Sequence, residues 1–226
     1  MPTENPAPST QHPALRLAVL LSGRGSNFRA IHDAIANGTL NAEIVCVISN
    51  RPDVPGIVHA RELGLTVHEI DHKTHPSRLD HESEVQRVLS EANPDFVVLA
   101  GYMRLLSSSF IDAWRNRILN IHPSLLPAFP GVDAQKQALD YGVRVSGCTV
   151  HFVDEELDAG PIIVQRTVEV RGDDSVETLS ARILEQEHVA YVEALRLLGT
   201  RTWRIDGRRV VFEEEKVRRR GGEEER

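Results

Sequence analysis

Apolar and polar rhythms divide the chain into elements before any single residue is weighed. Arg16-Leu17-Ala18-Val19-Leu20-Leu21 is a short apolar run ending in Ser22-Gly23, and apolar positions then return at helical spacing from Asn27 to Ala36. This reads as strand, glycine loop and helix. The alternation recurs with a strand over 43–49, a helix from about Pro55 to Leu63, a strand over 66–70, a helix from about Pro76 to Ala92 and a strand over 96–100. Near-continuous apolar strands separated by helices predict a parallel sheet covered on both faces.

Farther along, Arg117 to His122 reads as a strand, Ala134 to Tyr141 as a helix, and 146–154 and 161–170 as an antiparallel pair of β-rich runs. Asp173, Asp174 or Ser175 can cap a long amphipathic helix through Val176, Leu179, Ile183, Val189, Val192 and Leu195, ending at Gly199. Ile205-Asp206-Gly207-Arg208 marks a hairpin turn. The expected fold class is α/β: a Rossmann-like, mostly parallel twisted sheet with flanking helices, C-terminal antiparallel strands and a long C-terminal helix. One domain is expected over 15–200. It lies between a proline-rich disordered leader at 1–14 and an extension at 201–226, a hairpin followed by a charged tail.

Length and composition agree with this reading. A chain of 226 residues with 41% hydrophobic content can bury a sizeable core. Its formal charge of -7 offers no general attraction to nucleic acid or an acidic membrane, so an anionic partner needs a local site. Cys46 and Cys148 lie in apolar runs without metal or redox spacing and read as buried thiols. No run approaches the roughly twenty apolar residues of a membrane span, and the start lacks a basic region leading into an apolar one. A reducing cytoplasm is the expected compartment. No isolated apolar stripe decides between a monomer and a homodimer.

The candidate chemistry centres on Asn120-Ile121-His122-Pro123 and on Asp158. Residues two apart on a strand share a face, so Asn120 and His122 can point together while Leu119 and Ile121 turn to the core. Pro123, Pro127 and Pro130 stiffen the loop that follows, and Leu126-Pro127 is a candidate cis bond. An amide donor beside a proton carrier suits acyl transfer. Ser22-Gly23-Arg24-Gly25-Ser26-Asn27, between strand and helix, can present backbone N–H groups to an anion, although a tight turn capped by Ser26 or Asn27 fits the same residues. Phe28 and Ser49-Asn50 stand where a dinucleotide fingerprint needs a small residue and an acid, which favours a compact phosphate monoester. His68, His72, His75 and His81 lack a ligand spacing and read as solvated loop residues, and no metal is expected.

With the glycine loop, Gly101-Tyr102-Met103-Arg104-Leu105-Leu106-Ser107, the Asn120 segment and the Asp158 loop taken together, the chain resembles the phosphoribosylglycinamide formyltransferase family from about Leu15 to Leu198. The resemblance implies folate-dependent transfer of a formyl group from 10-formyltetrahydrofolate, the cosubstrate, to the amino group of glycinamide ribonucleotide in purine synthesis. It implies Asn120, His122 and Asp158 as catalytic groups. Gly25, Ser26 and Asn27 match positions that hold the ribonucleotide phosphate, and Glu187 matches one that binds ribose hydroxyls. Met103, Arg104, Leu105 and Leu106 match the segment shaping the folate pocket. Asp154 through Asp158 match the loop enclosing the pterin, and Arg78 an arginine near the glutamate end of the folate.

One stretch departs from some members: Gly131-Val132-Asp133-Ala134-Gln135 lacks a pair of histidines carried there. Other readings of single residues stay open, since Met103 and the leucines after it fit a core equally well and His151 fits a structural partner as well as a catalyst. Formyltetrahydrofolate deformylase, methionyl-tRNA formyltransferase and sugar-nucleotide formyltransferases share the chemistry. The first usually adds an N-terminal regulatory domain and the second a C-terminal RNA-binding domain, for which this sequence leaves no room.

Overall fold

The computed structural model describes residues 13–213, so nearly all of the expected leader and the charged tail from 214 onward lie outside the described residues. Strands β1 (Leu15–Leu21), β2 (Ala42–Ser49), β3 (Val67–Glu69), β4 (Phe96–Leu99) and β5 (Ile118–His122) pair in parallel. β6 (Val145–Phe152) and β7 (Ile162–Glu169) continue the sheet antiparallel, and a hairpin of β8 (Trp203–Asp206) and β9 (Arg209–Phe212) closes the far edge. The strand order is β3-β2-β1-β4-β5-β6-β7-β9-β8. The mostly parallel α/β sheet with an antiparallel C-terminal part is the architecture the periodicity predicts.

Alternate residues of each parallel strand feed two separate cores, which is why the strands are apolar at almost every position. From β1, Leu17, Val19 and Leu21 enter one core while Ala18 and Leu20 enter the other. The first core is covered by α1 (Ser26–Ala36), α2 (Pro55–Glu62) and α6 (Val176–Thr200) through Phe28, Ile31, Ile57, Leu179, Ile183 and Leu195. The second is covered by α3 (Arg78–Ala92) and α4 (Ser108–Ala113) through Val85, Leu89, Phe110 and Ile111. Each fully buried Leu or Ile contributes about 1.5–3 kcal/mol. Tyr191 of α6 is fully buried, and its hydroxyl lies 2.9 Å from the Leu99 carbonyl and 3.0 Å from that of Leu119, tying α6 to β4 and β5.

Several expectations meet the structure directly. Helix α5 (Ala134–Tyr141) has the predicted bounds, Ser175 caps α6 in a capping box with Thr178, and the Leu126–Pro127 bond is cis. Both cysteines are buried, and burial pushes their thiols up, Cys46 to about 11 and Cys148 to about 12. Three differences have physical causes. Helix α4 begins within a run of three serines, with Ser107 as its N-cap, and is six residues long, too short to show a period, so it escapes the sequence reading. Helix α1 takes no side-chain cap from Ser26 or Asn27; its N-cap is Gly25 in the left-handed region at φ 69°. His81 is not solvated: it sits buried on α3, where Nε2–H donates to the Ile70 carbonyl at 2.9 Å, and burial lowers its pKa.

The β6–β7 crossing depends on Gly147. A Cβ there would stand 2.0 Å from the Arg166 carbonyl oxygen, and backbone in the middle of a ladder cannot retreat. Gly147→Ala is expected to destabilise the fold by about 3 kcal/mol. In a domain of this size the thermal midpoint should fall by roughly 6–12 °C. A midpoint within about 2 °C of the parent would mean that the ladder can open at this point.

Candidate active site

In an open α/β sheet the ligand crevice lies beyond the carboxyl ends of the strands, where the strand order reverses. Here β1 is flanked by β2 on one side and β4 on the other, and the glycine loop, the Gly101–Leu106 segment and His122 all leave the carboxyl ends of these strands or of β5. Register then builds the centre. Asn120 of β5 pairs directly with His151 of β6, and residues opposite one another on antiparallel strands project from the same face. The β6–β7 register shifts between Val150 and His151, a bulge beside the cluster of the kind that re-aims side chains.

Asp158 reaches the cluster from the loop between β6 and β7. Its backbone is left-handed at φ 52°, and a Cβ on Gly160 would stand only 1.8 Å from the Phe152 carbonyl oxygen, so the chain turns tightly here. The Asp158 Oδ2 lies 3.3 Å from His122 Nδ1 and accepts from the Gly131 N–H at 2.8 Å, while Oδ1 is 3.9 Å from His151 Nε2. The His122 and Asp158 side chains are 6% and 8% exposed, so the pair is largely withdrawn from water.

The partners define where protons sit. A carbonyl can only accept, so His122 Nε2–H donates to Phe129 O at 2.8 Å, which leaves Nδ1 facing Asp158 Oδ2 at 3.3 Å. His151 likewise donates Nδ1–H to the Phe152 carbonyl at 2.8 Å. Burial holds its pKa below the ordinary imidazole value, so it is neutral with a lone pair on Nε2. That lone pair faces Asn120 Nδ2 at 3.4 Å and orients the Asn120 amide with one N–H toward His151 and the other without a partner among the described residues. His151 thus belongs to the cluster. Only its alternation along β6 hinted at this, because the pairing register is not visible in the sequence.

Beyond the cluster, the N–H groups at the start of α1 have no side-chain cap. Gly25 is required twice, by its positive φ and because a Cβ would meet the Cα of Gly56 at 3.0 Å. Asn27 and Glu187 meet although 160 residues separate them: Asn27 Nδ2 donates to Glu187 Oε2 at 2.9 Å. Glu187 is buried, which raises its pKa against the opposing Asn27 hydrogen bond. Asn27 Oδ1 is buried with no partner among the described residues.

The Gly101–Leu106 segment presents Met103 and Leu105 outward at 72% and 66% exposed, whereas Leu106 packs on the second core. Arg104 is half-buried. Arg78 is exposed at the start of α3, its Nε 3.9 Å from Glu82, and the buried Glu82 also accepts from the Ser107 N–H at 2.9 Å and from its hydroxyl. Glu82 therefore ties Arg78 to the end of the segment, a link the sequence reading missed. Asp154 is half-buried and accepts from the Glu156 N–H at 3.1 Å, closing its own loop. His68, His72, His75 and His81 lie apart from this cluster.

The formyl transferase family model matches residues 15–195. The chain belongs to this family. A trifunctional purine biosynthetic protein adenosine-3 of Gallus gallus is 49% identical over 186 residues, covering 82% of this chain. The chain spans only 18% of that relative's length. A phosphoribosylglycinamide formyltransferase of Escherichia coli K12 is 39% identical over 199 residues, covering 88% of this chain and 91% of that protein. Among solved structures, a glycinamide ribonucleotide transformylase 1 from Symbiobacterium toebii superposes with a TM-score of 0.86 at 46% identity, covering 89% of this chain and 95% of that one. The chain therefore shares fold and sequence with these relatives over the region that carries the cluster.

Proposed function

We propose that the chain transfers the formyl group of 10-formyltetrahydrofolate to the amino group of glycinamide ribonucleotide, giving formylglycinamide ribonucleotide and tetrahydrofolate in purine (IMP) biosynthesis. The observation that carries this reading is the near end-to-end match to a bacterial phosphoribosylglycinamide formyltransferase, with the Asn120, His122 and Asp158 cluster inside the matched region. Free, buried Cys46 and Cys148 are in keeping with a reducing cytoplasm.

The amine attacks the formyl carbon to form a C–N bond, and the tetrahedral intermediate carries negative charge on oxygen. The free N–H of the Asn120 amide donates to that oxygen. The C–N bond to the folate then breaks as a proton passes from the attacking nitrogen to the leaving one. His122 carries this proton by exchanging one of its contacts for the reacting nitrogens, and Asp158 holds the ring and matches its charge. Gly25, Ser26 and Asn27 hold the ribonucleotide phosphate, and Glu187 accepts from ribose hydroxyls. Backbone groups of Met103 to Leu106, the Asp154–Asp158 loop and Arg78 hold the folate. Neither step calls for a metal ion.

Purified protein with 10-formyltetrahydrofolate tests the reaction: tetrahydrofolate should appear only when glycinamide ribonucleotide is added. Release without the acceptor would identify a deformylase instead, and no release in either case would end the proposal.

The raised pKa of Glu187 predicts how the acceptor binds across pH. A carboxyl with a raised pKa loses its charge at a higher pH than usual, so ribonucleotide affinity should fall on acidification from neutral pH. The substrate phosphate, with a second pKa of about 6, contributes a slope of its own. Glu187→Gln should keep that slope and lose the additional one, as read by calorimetric titration between pH 5 and 8. Identical slopes in both proteins would remove Glu187 from the ribose site.

A further inference from the structure

Asn50 occupies the end of β2, the place where a dinucleotide-binding unit carries its ribose-binding acid. Instead of facing a ligand, its amide is turned inward and is 2% exposed. Its Oδ1 accepts the hydroxyl of Ser22, 3% exposed, at 2.5 Å. The Ser22 proton is thereby committed, and the hydroxyl oxygen accepts the Met103 N–H at 2.8 Å. The Ser22 N–H donates to the Gly101 carbonyl at 3.1 Å. Both polar groups of one residue in the glycine loop therefore grip the Gly101–Leu106 segment, extending the β1–β4 ladder beyond its last Leu20–Leu99 pair. Asn50 is anchored from behind, where His72 Nδ1–H donates to its carbonyl at 2.7 Å.

This grip matters because the side chains at the middle of the segment do not place it. Tyr102 and Leu106 pack on the second core, but Met103 and Leu105 are exposed, so Met103 is located by its N–H on Ser22, while the end of the segment is held through Ser107 and Glu82. We propose that Ser22 and Asn50 are positioning residues that lock the folate-binding segment to the phosphate-binding loop, holding donor and acceptor in one frame. The proposal rests on the functional reading above. Acyl transfer demands reacting atoms within about 3–3.5 Å, and a shift of about 1 Å can cost a hundredfold in rate. A clamp shared by the loops that hold the two substrates is a direct way to meet that demand.

The test compares parent, Ser22→Ala, Asn50→Ala and the double variant by steady-state kinetics and by hydrogen exchange of the Met103 amide. Each single variant is expected to raise the KM for 10-formyltetrahydrofolate about tenfold and to lower kcat about tenfold, with the KM for glycinamide ribonucleotide changed less than about twofold. The double variant should be no worse than Ser22→Ala, because the two residues act as one chain. The Met103 amide should exchange faster in every variant. Unchanged folate KM and kcat would overturn the proposal, as would equal losses toward both substrates. If the parent transfers no formyl group, the functional reading fails, and the exchange rate alone then decides the clamp: faster in Ser22→Ala supports it and unchanged overturns it.

Discussion

Asp158→Asn should lower kcat by about a thousand- to ten-thousand-fold, the scale seen when the acid partner of a catalytic imidazole is neutralised. The variant is nearly isosteric, and asparagine tolerates the left-handed φ of 52° at this position as well as aspartate does. The fold should therefore survive, with a thermal midpoint close to the parent's. What changes is the donor and acceptor count. Asp158 now faces His122 Nδ1 at 3.3 Å and accepts the Gly131 N–H at 2.8 Å through the same oxygen. An amide oxygen in the place of Oδ2 can still accept from Gly131 and face His122, but the other oxygen becomes an NH2 donor and no negative charge remains to offset a proton carried by the ring. The proton carrier therefore loses its electrostatic partner during transfer. Substrate binding should suffer less than turnover, so the effect belongs in kcat. A folded Asp158→Asn protein with kcat within about tenfold of the parent would show that His122 does not work through this carboxylate.

Asn120→Ala is expected to cost about a hundred- to a thousandfold in kcat, the usual penalty for removing one oxyanion donor. The Asn120 amide is held with one N–H on His151 Nε2, which leaves the other available for the oxyanion of the proposed reaction. Because Leu119 and Ile121 on either side are buried in the first core, truncating Asn120 should leave β5 in place. The KM values should change little, since the donor matters most when the oxygen is charged. Combined with Asp158→Asn, the loss should fall well short of the product of the single losses, because both residues serve the same intermediate. Unchanged turnover in a folded Asn120→Ala protein would move the oxyanion site elsewhere.

His151 illustrates what local reading could not reach. Its neutral state and its role in orienting Asn120 depend on burial and on the β5–β6 register, which pairs residues 31 apart. Glu187 is similar: taken alone it reads as an exposed helix position, yet α6 packs against α1 and buries it on Asn27. The same holds for His81, which its polar surroundings in sequence suggest is solvated and which lies buried beneath Ile70. In each case the deciding contact joins segments with no periodic relation to one another.

Short-range information carried much of the rest. Apolar runs against helical spacing were enough for the parallel sheet and for its covering helices except α4, for α5 at Ala134–Tyr141 and for a cap of α6 at one of Asp173, Asp174 and Ser175, because these follow from which side chains a strand or helix must bury. Period-two geometry was enough to set Asn120 and His122 on one face of β5. Strand register, the bulge at His151, the tight turn at Gly160 and the Ser22–Asn50 grip on Met103 emerged only from the packed chain. These are agreements between distant segments about distance and direction, and a residue's neighbours in sequence place no constraint on either.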